Sequence, residues 1–173
     1  VLVIADARGP VGMAGIMGGL RTAVSEGTAD VVLEAAFFSP AAIAGRGRRI
    51  GLSTDASQRF ERGVDFAVAQ RAVERATQLL LQLCGGRAGP VQVSEDPSQL
   101  PKRSAVLLRR RQLDRLLGTV VPDARIASVL RSLQMNVTAL ADGWSVVPPS
   151  HRFDISIEAD LIEEVARIVG FEQ

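Results

Sequence analysis

The stretch NVTALADGWSVV, Asn136–Val147, decides how the C-terminal part of this chain folds. Its runs NVTAL and WSVV flank ADG, and Asp142-Gly143 is a strong hairpin signal because glycine accepts the backbone angles that a tight turn imposes. Working outward, Ala105–Arg109 reads as a strand and Arg111–Leu117 as a short helix closed by Gly118. A second helix, Asp123–Leu133, follows Pro122 and places Ile126, Val129, Leu130 and Leu133 on one face. Beyond the hairpin, SHRFDISIEADLIEEVARIVG, Ser150–Gly170, reads as an extended segment leading into an amphipathic helix.

One strand, a hairpin wing and three helices over residues 101–173 are similar to winged-helix architecture, a small α+β unit. A junction is expected in SEDPSQLPKR, residues 94–103, where Pro97 and Pro101 interrupt all periodicity. Residues 1–100 form the other unit. Val1–Ala5 reads as a buried strand, the glycine-dense GPVGMAGIMGG cannot be regular helix, and Val31–Phe38 reads as a second strand. Ser39 and Pro40 start a short helix that ends in GRGRRIG. LSTDASQRFERG turns from polar loop to helix, Phe66–Cys84 is the clearest helix, and Pro90–Val93 reads as a strand. The opening strand begins at the first residue, so the sequence is expected to be a piece of a longer polypeptide.

A chain of 173 residues with 47% hydrophobic content can bury one good core or two small ones. The single cysteine, Cys84, rules out an internal disulfide framework and fits a reducing, cytoplasmic setting. No apolar run approaches the roughly 18 residues that a membrane-spanning helix needs. Nothing in the sequence matches a P-loop or a dinucleotide fingerprint.

The net charge of +1 hides a split. Lys102, Arg103, Arg109, Arg110, Arg111 and Arg115 stand against Asp114 alone, a run that either contacts phosphate or is a solvated face. At the other extreme, Asp154, Asp160, Glu163 and Glu164 gather around the start of the last helix. Asp160, Glu163 and Glu164 are spaced i, i+3 and i+4, which brings them to neighbouring positions. An oxygen-only set suits a hard cation such as magnesium. A solvated acidic face, favoured by the helix macrodipole, accounts for the same spacing. Glu34 is isolated in VVLEAAFF, and without further context it reads equally as a strand-end carboxylate reaching solvent or paired with Arg46, Arg48 or Arg49.

Four blocks in this order, VVLEAAFFSP (31–40), GLSTDASQRFERGVD (51–65), CGGRAGPV (84–91) and SHRFDISIEADLIEEVARIVGF (150–171), resemble the beta subunit of bacterial phenylalanyl-tRNA synthetases. The resemblance implies that residues 1–100 are the C-terminal part of an α/β tRNA-editing domain and residues 101–173 the winged-helix-like domain after it. It further implies hydrolysis of tyrosine misattached to tRNA(Phe), in a pocket drawing on Gly18, Glu34, Thr54 and Ala56. No catalytic triad accompanies them, so water would be placed against the ester and the oxyanion held by backbone or hydroxyl donors. Thr54 has a second reading as a helix cap.

By the same resemblance, Asp154, Asp160, Glu163 and Glu164 are magnesium ligands associated with the contact to the alpha subunit, in an assembly of two alpha and two beta chains. ATP binding and aminoacylation belong to that alpha subunit, and Arg109, Arg110 and Arg111 become candidate tRNA contacts. Two departures stand out: Gln58 replaces a frequent histidine, and Val169 a common aromatic. The alternative is a non-catalytic scaffold and tRNA-contacting module.

Overall fold

The computed structural model describes residues 1–170 and is an α+β chain of two compact units, Val1–Ser98 and Gln99–Gln173. Phe171, which ends the fourth block quoted above, lies outside the described residues.

The second unit is built on a three-stranded antiparallel sheet. Strand β4 (Val106–Arg109) and the hairpin β5 (Asn136–Leu140) and β6 (Gly143–Val147) take the order β4-β6-β5. In this register Val106 faces Val146 and Leu108 faces Trp144, so alternate residues of the two strands share one face, and that face is buried. Helices α5 (Arg110–Leu117), α6 (Asp123–Ser132) and α7 (Glu158–Val169) cover it. Leu113, Ile126, Leu130, Leu161 and Val165 are fully enclosed there. Each such side chain contributes about 1.5–3 kcal/mol by leaving water. The apolar spacing along α6 and α7 produces this packing directly, since residues three and four apart return to one helix face. Gly118, at φ 69°, ends α5 in the left-handed conformation that glycine adopts at least cost.

The first unit has a thinner core. Strands β1 (Val3–Asp6), β2 (Gly9–Met13) and β3 (Met17–Gly18) form an antiparallel meander with an irregularity between Ile4 and Ala5. The strand expected to be buried at the N-terminus is largely exposed. Ala14, Ile16 and Ile43 are the buried apolar residues described for this unit. They are joined by a tilted pair of rings, Phe38 and Phe60, with centroids 5.1 Å apart. Gly15, at φ 66°, lies so close to both rings that an added Cβ would stand 3.1 Å from Phe60.

Short helices α1 (Pro40–Ile43) and α2 (Arg46–Arg49) precede α3 (Asp55–Arg62) and the long α4 (Ala69–Cys84). Ser39 occupies the N-cap of α1 but makes no side-chain capping bond. None of the described residues of α4 is buried; Val73, Ala76 and Leu80 are half-buried. Two expected strands are not formed: residues 31–38 and 90–93 have no regular structure. Both runs have β-forming side chains, yet among the described residues no strand pairs with either, and an unpaired strand leaves its backbone groups to water.

Gly143 opens β6 at φ 149°, where a Cβ would stand 2.0 Å from the Leu108 carbonyl oxygen. Gly143→Ala is therefore expected to pry β6 from β4 and destabilise the second unit by at least about 2 kcal/mol. Urea unfolding followed by the fluorescence of Trp144, the one tryptophan of the chain, reads that loss.

Candidate functional sites

In the first unit the decisive contact is made by Thr54. Its hydroxyl donates to the Ile16 carbonyl at 2.7 Å and accepts from the Ser57 N–H at 3.0 Å. Ser57 returns the favour at the Thr54 N–H, 3.0 Å away, completing a capping box at the start of α3. Thr54 is thus both a cap and a pin that fastens α3 to Ile16, the last residue of the turn between β2 and β3. A threonine hydroxyl has one proton to give, and here the Ile16 carbonyl takes it. Thr54 consequently positions other groups and is not a free donor for an oxyanion.

The other pocket candidates fall unevenly around this pin. Gly18 lies two residues beyond Ile16 with open space where a Cβ would be, and Ala56 sits half-buried in the first turn of α3. Glu34 is exposed, as are Val31, Val32 and Leu33 beside it. The apolar enclosure expected of its neighbours is not present among the described residues, because the segment that carries them packs against no strand. A shallow recess of about 360 Å³ beside α3 is lined by Arg48, Ser53, Gln58, Glu61 and Arg62, with Gln58 donating to Ser53 at 3.2 Å.

In the second unit the four acidic candidates do three different jobs. Asp160 reaches back with Oδ2 to accept the N–H groups of Ser156 at 2.8 Å and Ile157 at 2.9 Å, capping α7. Glu163 is exposed on the outer side of the helix. Glu164 is 9% exposed and faces inward. Arg152 spans the remaining pair: it grips both oxygens of Asp154 at 2.9 and 2.7 Å and donates to Glu164 Oε1 at 2.8 Å. Arg167 takes the other oxygen of Glu164.

Burial pushes the Glu164 carboxyl up, but the hydrogen bonds from Arg152 and Arg167 outweigh it and hold the group below its ordinary value. Hydrogen bonding to Arg152 likewise lowers Asp154, while Asp154 and then Glu164 raise Arg152. The oxygen-only donor set suits magnesium in kind but not in arrangement. Among the described residues no three acids converge on one point, and the exposed Asp154 and the buried Glu164 already carry guanidinium.

The basic run is also divided. Arg109 is clamped by Glu158, whose Oε1 also accepts the Arg109 backbone N–H at 2.7 Å; hydrogen bonding to Arg109 lowers the Glu158 pKa. Arg110 bridges Asp114 at 3.0 Å and Asp123 at 2.5 Å. Of the three arginines proposed for tRNA, only Arg111 has no partner among the described residues; Arg115, one turn on, has none either and is equally exposed. Glu158 escaped the sequence reading, although an acid at the first position of a helix is a recognisable signal for a nearby cation.

Residues 1–85 match the B3/4 domain family and residues 106–171 the tRNA synthetase B5 domain family. The two domains together mark a segment of an aminoacyl-tRNA synthetase. The chain is 55% identical over 99% of its length to the phenylalanine–tRNA ligase beta subunit of Xanthomonas campestris pv. campestris, covering 22% of that protein. It is 53% identical over 98% of its length to the Yersinia pestis beta subunit, covering 21%. It belongs to the phenylalanine–tRNA ligase beta-subunit family, and it spans about a fifth of the length of the curated relatives it matches. None of the described helices is long and apolar enough to cross a membrane.

Because Glu158 and Glu164 titrate below the ordinary glutamate value of 4.5, and Asp154 below 3.8, each stabilises the fold fully above that value. The contribution is lost as pH falls through the depressed folded-state value, where the native carboxylates finally take protons. The urea midpoint reported by Trp144 is expected to drop steadily below about pH 4.5. Glu164→Gln, less stable at pH 7, should show a shallower drop over the same range.

Proposed function

We propose that this segment serves phenylalanine–tRNA ligase in two ways: as part of a hydrolytic pocket that removes tyrosine from tRNA(Phe), and as an assembly element toward the alpha subunit. The observation that supports the first is the Thr54 pin, which holds Ile16, two residues before Gly18, against the start of α3, two residues before Ala56. Small residues at these positions leave room for an aromatic ring. The chemistry is ester hydrolysis by a positioned water, with backbone N–H groups as donors to the oxyanion other than those of Ala14, Ile16 and Gly19, which are bonded to carbonyls. Glu34 supplies selectivity by accepting a hydrogen bond from the tyrosine phenol once the complete subunit encloses it. Phenylalanine would leave that carboxylate desolvated and unpaired.

Deacylation of tyrosyl- and phenylalanyl-tRNA(Phe) by the complete two-subunit enzyme tests this. Glu34→Ala should lower the preference for tyrosine at least about tenfold. An unchanged preference removes Glu34 from the pocket.

The second role rests on the start of α7, where Glu163 is exposed, Asp160 caps the helix, and Arg152 ties the exposed Asp154 to the buried Glu164. A magnesium ion joins that face only in competition with the guanidinium. The alternative role, contact with tRNA phosphates, is favoured by one observation, that Arg111 and Arg115 of α5 are exposed and have no partner among the described residues. Neutralising both should reduce the slope of log affinity against log salt for tRNA by roughly 1.4–1.8. The same change at Arg109 and Arg110, already held by carboxylates, should leave the slope nearly as it was.

A further inference from the structure

We infer that Arg152 is the resident cation of the acidic cluster at α7, and that a divalent ion reaches Asp154 and Glu164 only by displacing it. The inference deepens the assembly role proposed for this face and rests on it. Glu164 lies on the inward side of α7 between Leu161 and Val165, both fully buried, so its charge needs a partner that has itself left water. Arg152 is such a partner, with its side chain 17% exposed. Its planar fork meets two acids at once: Nε and Nη2 on Asp154, and Nη2 on Glu164.

With Arg167 on the remaining oxygen, two carboxylates face two guanidiniums and the group is neutral. An ion of charge +2 added to that group meets like charge and gains little. With Arg152 removed, it meets two carboxylates, one of them desolvated, against Arg167 alone, a net charge of −1. Asp160 keeps its negative charge, but its Oδ2 is already taken by the backbone N–H groups of Ser156 and Ile157. The two ways of neutralising Glu164 exclude one another, and each must weaken the other by the same factor.

The test is a titration of the full chain with manganese, read by the resonance of the free ion and by the shift of the Trp144-reported unfolding midpoint. Arg152→Gln should bind manganese about tenfold tighter than the parent chain and be stabilised more by it. Arg152→Lys keeps a point charge but cannot span both acids, so it should fall between the two, and it serves if the glutamine variant does not fold. Adding Glu164→Gln to either variant should abolish the gain. Equal or weaker binding by the Arg152 variants, with the parent chain still binding, overturns the displacement while leaving a cation role for α7. No binding by any of them overturns both, and a gain that survives Glu164→Gln puts the ion elsewhere and overturns the inference.

Discussion

The requirement that Glu164 keep a cationic partner organises the end of the second unit. Helix α7 turns Leu161, Ile162 and Val165 into the core, and the same rotation carries Glu164 inward with them. A carboxylate in that position is tolerated only when neutralised, and losing one member of such a pair costs about 3–5 kcal/mol. Residues 148–157 must therefore run so that Arg152 faces α7. Arg152 in turn orders Asp154, and the loop ends where Asp160 reaches back to cap its own helix. Core packing, loop path and helix start are one linked arrangement.

The first unit depends on a smaller device. With few buried apolar side chains, it relies on directed bonds to hold a glycine-rich turn in place. The Thr54–Ile16 hydrogen bond is the clearest of these, and the ring pair over Gly15 is another. Net contributions of single hydrogen bonds are about 0.5–1.5 kcal/mol, so this turn is held more loosely than the sheet of the second unit.

Much of this was legible in the residues, for reasons that differ by element. The hairpin, the helix ends at Gly85 and Gly118 and the stripe along α6 follow from local rules, because turn chemistry and periodicity act within a few residues. Residues 31–38 and 90–93 look like strands by the same rules and are not, since a strand is completed by a neighbour that local pattern cannot supply. The acidic spacing at α7 was equally plain. What it could not disclose is that Asp160 serves the backbone while Arg152 divides the rest, because that depends on the path of the loop. Arg109 looked free for the same reason, since Glu158 lies 49 residues away; of the two acids on Arg110, Asp123 is 13 residues away while Asp114 stands at i+4, a pairing that spacing alone offers.

The hairpin tip has a mechanical meaning. The Asp142 carbonyl accepts the Arg110 N–H at 2.9 Å, and β6 is paired with β4 along its length, so the wing is no free flap. A load on Ala141 or Asp142 passes straight into the first turn of α5, one residue before Arg111. The wing and the first turn of α5 are thereby tied together, one residue from Arg111, beside the glycine that permits β4 and β6 to close.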